Sequence, residues 1–228
     1  LVKRLPKEEK EFMLYLPGWS EVKSLQIGIE EGATIEGTPS PFHHKVVVYG
    51  SSITHGASAS RSGLTYPALL SRNLGIDFVN FGWSGLCRMQ PEFLDILKRC
   101  EADAFLFDAF SNPSAEIIHE DFDTFVDIIR AAHPDVPLIF MQTERRESRN
   151  FETWREDFEA KKQAAAEEEI RERMKTDKHI YFLTSEDFLG HDHIATSDGS
   201  HPTDLGFTRM LDSIEPKILK ILRKYGIR

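Results

Sequence analysis

The sequence predicts a three-layer α/β/α domain built on a five-stranded parallel sheet and preceded by a short β segment. Two observations predict it. From Lys45 onward, five short apolar runs alternate with helical patterns. Those runs are apolar at consecutive positions, as in strands covered on both faces, and such strands belong to parallel sheets packed between helix layers.

Taken in order, residues 11–30 read as two short strands, EFMLYLP and VKSLQIGI, around the turn-rich GWSE. They form a hairpin or a strand pair that would be only marginally stable alone. The stretch EEGATIEGTPSPFHH is rich in Gly, Pro, Ser and Thr and reads as a linker. This divides the chain into a β segment with its linker over residues 1–40, the expected remnant of an N-terminal β domain, and a main domain over 41–228. The predicted strands of the main domain are KVVVYG (45–50), DFVNFG (77–82), DAFLFDAF (103–110), PLIFMQ (137–142) and HIYFLT (179–184). Between them, YPALLSRNLG places Leu69, Leu70 and Leu74 on one helical face, with Gly75 as its stop. PEFLDILKRC opens on Pro91, suited to a first helical position. SAEIIHEDFDTFVDIIRAAH carries Ile118, Phe122, Phe125 and Ile129 at helical spacing. FETWREDFEAKKQAAAEEEIRERMK is strongly charged and reads as a solvated helix, and a last helix runs from about Thr203 to Tyr225.

The 228 residues suffice for one core of good size. A net charge of −9, with acidic residues spread along the chain, disfavours nucleic-acid and anionic-membrane surfaces, which need clustered Lys and Arg. Apolar runs are too short for a membrane span. Cys87 and Cys100 provide neither a disulfide framework nor a metal motif. The chain opens on Leu without a signal-peptide pattern, so a fragment or processed form is expected, cytoplasmic or periplasmic. Oligomeric state is not legible.

Functional groups of a parallel α/β sheet gather at the carboxyl ends of its strands. There the first strand presents GSSITHG, Gly50 to Gly56. It is not a P-loop, because five residues separate Gly50 from Gly56 and Ala57 follows. Nor is it a G-x-S-x-G elbow, because Thr54 stands where the second glycine is needed. Far downstream, SDGSHPTDLGF holds Asp198 and His201 three residues apart. A serine hydroxyl needs a base to take its proton, and an imidazole base needs an acceptor at Nδ1. One turn at this spacing brings such a carboxylate beside the ring. Acyl transfer also needs oxyanion donors. The loops VNFGWSG, with Gly82 and Gly85, and FDAFSNPS, with Asn112, follow the next two strands and offer them.

In these four blocks, taken in order, the chain from Lys45 onward resembles the SGNH hydrolases, the superfamily of GDSL-type esterases and lipases. The resemblance implies a flavodoxin-like sheet, Ser52 as nucleophile, His201 as base and Asp198 as its partner. It further implies an oxyanion hole of the Ser52 N–H, the Gly85 N–H and the Asn112 side chain, with no cofactor and no metal. Ser51 replaces the Asp of the family's GDS block, Phe110 the glycine of its G-x-N-D block, and Pro113 the Asp of that block. The GSSITHG form resembles a branch with an N-terminal β-rich domain. The activity so implied is hydrolysis of short-chain acyl esters, acetyl above all, on a carbohydrate or small metabolite. An acyltransferase with the same site, or a glycan-binding module with a relic site, are the alternatives.

The remaining polar clusters have plainer readings. His191 and His193 lack a third ligand at zinc-like spacing and read as a solvated loop. His55 is expected beside Ser52 in the cleft, and Trp83 and Phe110 are either core residues or walls of an acyl pocket. ERRESRN, Glu144 to Asn150, borders the cleft as a solvated loop whose arginines are open to an anionic substrate.

Overall fold

The computed structural model describes residues 5–228. Five strands, β1 (Lys45–Gly50), β2 (Asp77–Gly82), β3 (Ala104–Asp108), β4 (Leu138–Met141) and β5 (Ile180–Leu183), form one sheet in the order β2-β1-β3-β4-β5. All four pairings are parallel. β1 therefore lies between β2 and β3, with Gly50 paired to Gly82 on one side and to Asp108 on the other.

The period-two alternation of each strand splits the core in two. Val46, Val48, Ala104, Leu106, Ile139 and Met141 face one layer, where they meet α2 (Tyr66–Leu74) and α6 (Asp204–Arg223) through Leu70, Phe207, Met210 and Ile214. Val47, Tyr49, Phe105, Phe107, Leu138 and Phe140 face the other. There they meet α3 (Pro91–Leu97), α4 (Ala115–Ala132) and α5 (Thr153–Met174). Both sheet faces are thus covered, which is why the strands carry apolar side chains at nearly every position. The predicted helices appear where the periodicity placed them. β3 leaves the ladder at Asp108, two residues before the apolar run ends, although Ala109 and Phe110 stay buried.

Two expectations are corrected. Residues 11–17 and 22–29 form no ladder among the described residues, and β1 is the first strand. A strand needs a backbone partner, and here Phe12, Leu14, Leu25 and Ile27 stand exposed instead. Helix α5 is not solvated all round: Glu159 and Lys162 are fully buried, with Ala165, Ala166 and Ile170 on the same side. Its charge is partly an internal ion pair.

Close approach at the carboxyl edge of the sheet depends on two glycines. A Cβ on Gly50 would lie 1.9 Å from Thr54 Oγ1, and one on Gly82 would lie 2.2 Å from the His55 nitrogen. Both glycines let the short helix α1 (Ser52–His55) settle onto the ends of β1 and β2. That helix carries Ser52.

Candidate active site

The two adjacent serines have opposite surroundings. Ser51 is fully buried and caps α1, its Oγ accepting the Ile53 N–H at 3.1 Å. Ser52, the next residue, is half-buried, and its Oγ lies 2.9 Å from His201 Nε2. Below α1, Thr54 Oγ1 donates to Asp108 Oδ2 at 2.8 Å, and the Tyr66 hydroxyl reaches the same oxygen at 3.4 Å. Burial pushes the Asp108 carboxyl up to about 7, against the pull of these two hydrogen bonds. The helix that carries Ser52 is therefore tied to β3 as well as to β1.

His201 sits in a tight loop before α6. Thr196 bridges Pro202, and the Ser197 N–H donates to the His201 carbonyl at 3.0 Å. Asp198 turns this loop on itself: Oδ1 accepts from the Ser200 and His201 N–H groups at 2.9 and 2.8 Å, and Oδ2 lies 2.6 Å from His201 Nδ1. Partial burial works to raise the Asp198 carboxyl, but the bonds from His201 and Ser200 hold it below its ordinary range. The neighbouring acids are engaged elsewhere. Asp192 receives both Arg209 guanidinium nitrogens at 2.6 Å, and Asp204 accepts the Ser60 N–H at 2.8 Å. Ser52, His201 and Asp198 thus form one continuous chain of hydrogen-bond contacts, 149 residues apart in sequence at its longer link.

The other predicted residues stand on the same edge of the sheet. Gly85 lies in a 3-10 turn, Ser84–Leu86, just beyond β2, and Asn112 lies just beyond β3. Because β2 and β3 flank β1 in register, both loops border the end from which Ser52 projects. The Ser52 and Gly85 N–H groups donate to no carbonyl among the described residues. A Cβ on Gly85 would meet nothing, so the space above it is open. The Asn112 Oδ1 is buried without a hydrogen-bond partner among the described residues.

Several residues prove to have other employment. Phe110 is fully buried against Phe122 and Phe140, and Trp83 stacks on Phe93 at 4.4 Å, so both are packed into the core layer. His55 Nδ1 lies 3.2 Å from Ser84 Oγ, next to Gly85, while its Nε2 meets the Gly18 carbonyl at 2.7 Å and its ring stacks on Trp19 at 3.8 Å. It anchors the N-terminal segment. The arginines of ERRESRN all have partners within the chain. Arg145 and Arg149 both pair with Glu156, and Arg146 donates to the Ser111 carbonyl. His191 and His193 are exposed, with His193 Nδ1 3.2 Å from Glu147. Among the described residues, no three His, Cys, Asp or Glu side chains are grouped to hold a metal ion. No helix among them is long and apolar enough to cross a membrane.

Sequence reasoning missed Asp108, Thr54, Glu159 and Lys162. A signal existed for the first, a lone carboxylate inside the apolar run DAFLFDAF, and for the last two, an acid and a lysine three apart on one helix.

Residues 43–219 match the GDSL-like Lipase/Acylhydrolase family. The chain belongs to this family. Among solved structures it is similar to a GDSL-like lipase of Bacteroides ovatus, with 44% identity and a TM-score of 0.83 over 86% of this chain and 58% of that one. A salicylyl-acyltransferase from a tetracycline biosynthetic pathway matches at 22% identity and a TM-score of 0.69, over 87% of this chain and 60% of that one. A family two carbohydrate esterase from Clostridium thermocellum, in complex with cellohexaose, matches at 15% identity and 0.64, over 86% and 68%. The latter two share the fold. The chain spans less than two thirds of the length of the first two. No functionally curated protein matches it by sequence.

Proposed function

We propose that this member of the GDSL-like family is a serine esterase that cleaves short acyl esters through an acyl-enzyme. The observation that supports this reading is the chain Ser52 Oγ, His201 Nε2, His201 Nδ1, Asp198 Oδ2, at 2.9 and 2.6 Å. His201 takes the proton from Ser52 as the oxygen attacks the ester carbonyl, and then delivers it to the departing alcohol. Asp198 holds the imidazole in the tautomer that leaves Nε2 free to accept, and it steadies the imidazolium. Water then repeats the sequence on the acyl-enzyme and releases the acid. The oxyanion donors are the unpaired N–H groups of Ser52 and Gly85, with the Asn112 amide as the third. Each such donor is worth about 3–4 kcal/mol in the transition state.

A short acyl group agrees with the packing beside the donors. Of the large apolar residues flanking them, Phe110 is fully buried in the core and Trp83 is half-buried, packed against that core on Phe93. The Asp198 carboxylate is exposed and the space over Gly85 is open, and a site open to water suits a polar ester such as that of a sugar. Hydrolysis of p-nitrophenyl acetate by the chain, and its loss in Ser52→Ala, tests the reading. Added carbohydrate or simple alcohol acceptors show where the acyl group goes. Ester product in place of free acid would make the protein a transferase with the same site.

A further inference from the structure

Three consecutive residues after β4 reach both halves of the proposed catalytic apparatus. Arg146 Nη2 donates to the Ser111 carbonyl at 2.7 Å. Glu147 Oε2 accepts from Thr196 Oγ1 at 2.8 Å, and the Ser148 N–H donates to the Gly199 carbonyl at 3.1 Å. Ser111 immediately precedes Asn112, while Thr196 and Gly199 belong to the loop of Asp198 and His201. We propose that the Arg146–Ser148 segment is a brace that sets the oxyanion donor and the acid–base pair relative to one another, with Arg146 and Glu147 as its positioning residues. The inference rests on the esterase reading above.

The Ser111 carbonyl is held more firmly than a turn requires. It accepts from Arg146 and also from Lys162 Nζ at 3.2 Å, two charge-assisted bonds on one oxygen. Lys162 is fully buried and paired at 2.8 Å with Glu159, itself fully buried. An ion pair so placed is a costly way to gain stability, because desolvation offsets most of its attraction. Its evident product is direction: Ser111 C=O belongs to the peptide unit that leads into Asn112, so fixing that oxygen fixes the plane from which the Asn112 side chain departs. Ser111 Oγ, 2.9 Å from Thr143 Oγ1, ties the same residue to the end of β4. The Asn112 side chain has no hydrogen-bond partner at its buried Oδ1 among the described residues. Its aim must come from the backbone beneath. On the other side, Glu147 orients Thr196, whose Oγ1 accepts the Gly199 N–H at 3.2 Å inside the turn of Asp198.

The test is a double-mutant cycle on p-nitrophenyl acetate, with kcat taken per folded site. Misplacing a reacting group by about 1 Å costs on the order of 10²-fold, so Arg146→Met should lower kcat by about 10- to 100-fold with KM nearly unchanged. Because Arg146 acts through Asn112, Arg146→Met on an Asn112→Ala background should cost about twofold at most. Glu147→Ala acts through the other loop. It should lower kcat about tenfold by itself and by the same factor on the Asn112→Ala background. Unchanged kcat in either single variant, or an Arg146→Met loss that multiplies fully with that of Asn112→Ala, overturns the brace. Should Arg146→Met not fold, Arg146→Lys carries the test, since it keeps a cation and a donor. Its expected loss is about two- to fivefold, again absent beside Asn112→Ala, and equal losses in both backgrounds overturn the proposal. Activity retained in Ser52→Ala would instead refute the esterase site itself, and normal turnover in Asn112→Ala would remove Asn112 from the mechanism and overturn the brace.

Discussion

Thr54, on the helix that carries Ser52, donates to Asp108, at the end of the central strand β3, across 2.8 Å in a fully buried setting. The contact places an ionisable carboxyl under the helix that carries Ser52. Its pH behaviour is the first consequence.

Asp108 is raised from its ordinary value to about 7 by burial. A carboxyl raised in the folded state stabilises the fold fully below its unfolded value, and this contribution is lost as pH rises through about 7. Buried Glu144, raised to about 8 mainly by burial, acts in the same direction. Stability should therefore fall between about pH 5 and about pH 8. Asp108→Asn keeps an acceptor for Thr54 and removes the titration, so its fall should be smaller. Urea midpoints of both proteins at the two pH values check this; an equal fall in both would show that Asp108 does not titrate in this range.

Ser51 and Ser52 should separate cleanly on mutation. Ser52→Ala removes the hydroxyl facing His201 and should abolish ester hydrolysis. Ser51→Ala removes a helix cap and should cost about 1 kcal/mol of stability while keeping most turnover. Thermal unfolding with kcat per folded site reads both effects. A fluorophosphonate adduct found on Ser51 would reverse the assignment.

Asp198 should prove to be the acid that His201 needs. Its loss in Asp198→Asn should lower kcat by as much as about 10⁴-fold, because the imidazole would be left in the wrong tautomer. Asp192→Asn and Asp204→Asn should act on stability alone, through Arg209 and Ser60. A crippling Asp204→Asn beside a harmless Asp198→Asn would contradict the hydrogen-bond chain.

Asn112→Ala should lower kcat by about 10²–10³-fold with KM nearly unchanged, since the amide is proposed to meet charge that exists only in the transition state. If Asn112 served only as a turn residue before Pro113, the variant would melt earlier and turn over normally. Paired kinetics and melting curves tell these apart.

The alternation of apolar runs and helical periods in this chain was enough to determine its five parallel strands and its main helices, because burial on both sheet faces writes itself into consecutive residues such as VVVY and AFLF. The spacing of Asp198 and His201 was likewise legible, since a single turn brings them together without help from the rest of the fold. The N-terminal runs around GWSE misled for the same local reason: they have strand composition, but a ladder needs a partner that composition does not supply. The resemblance pointed to Ser52, but why it and not Ser51 faces the imidazole is a tertiary matter, since it depends on how Gly50 and Gly82 let α1 settle on the sheet. The tertiary structure alone decided that Glu159 and Lys162 are buried as a pair, and that Lys162 and the half-buried Arg146 meet at the Ser111 carbonyl. An acid and a lysine three apart can pair equally well on an exposed or a buried helix face, and the partner at Ser111, tens of residues away, is brought within reach only by the folded chain.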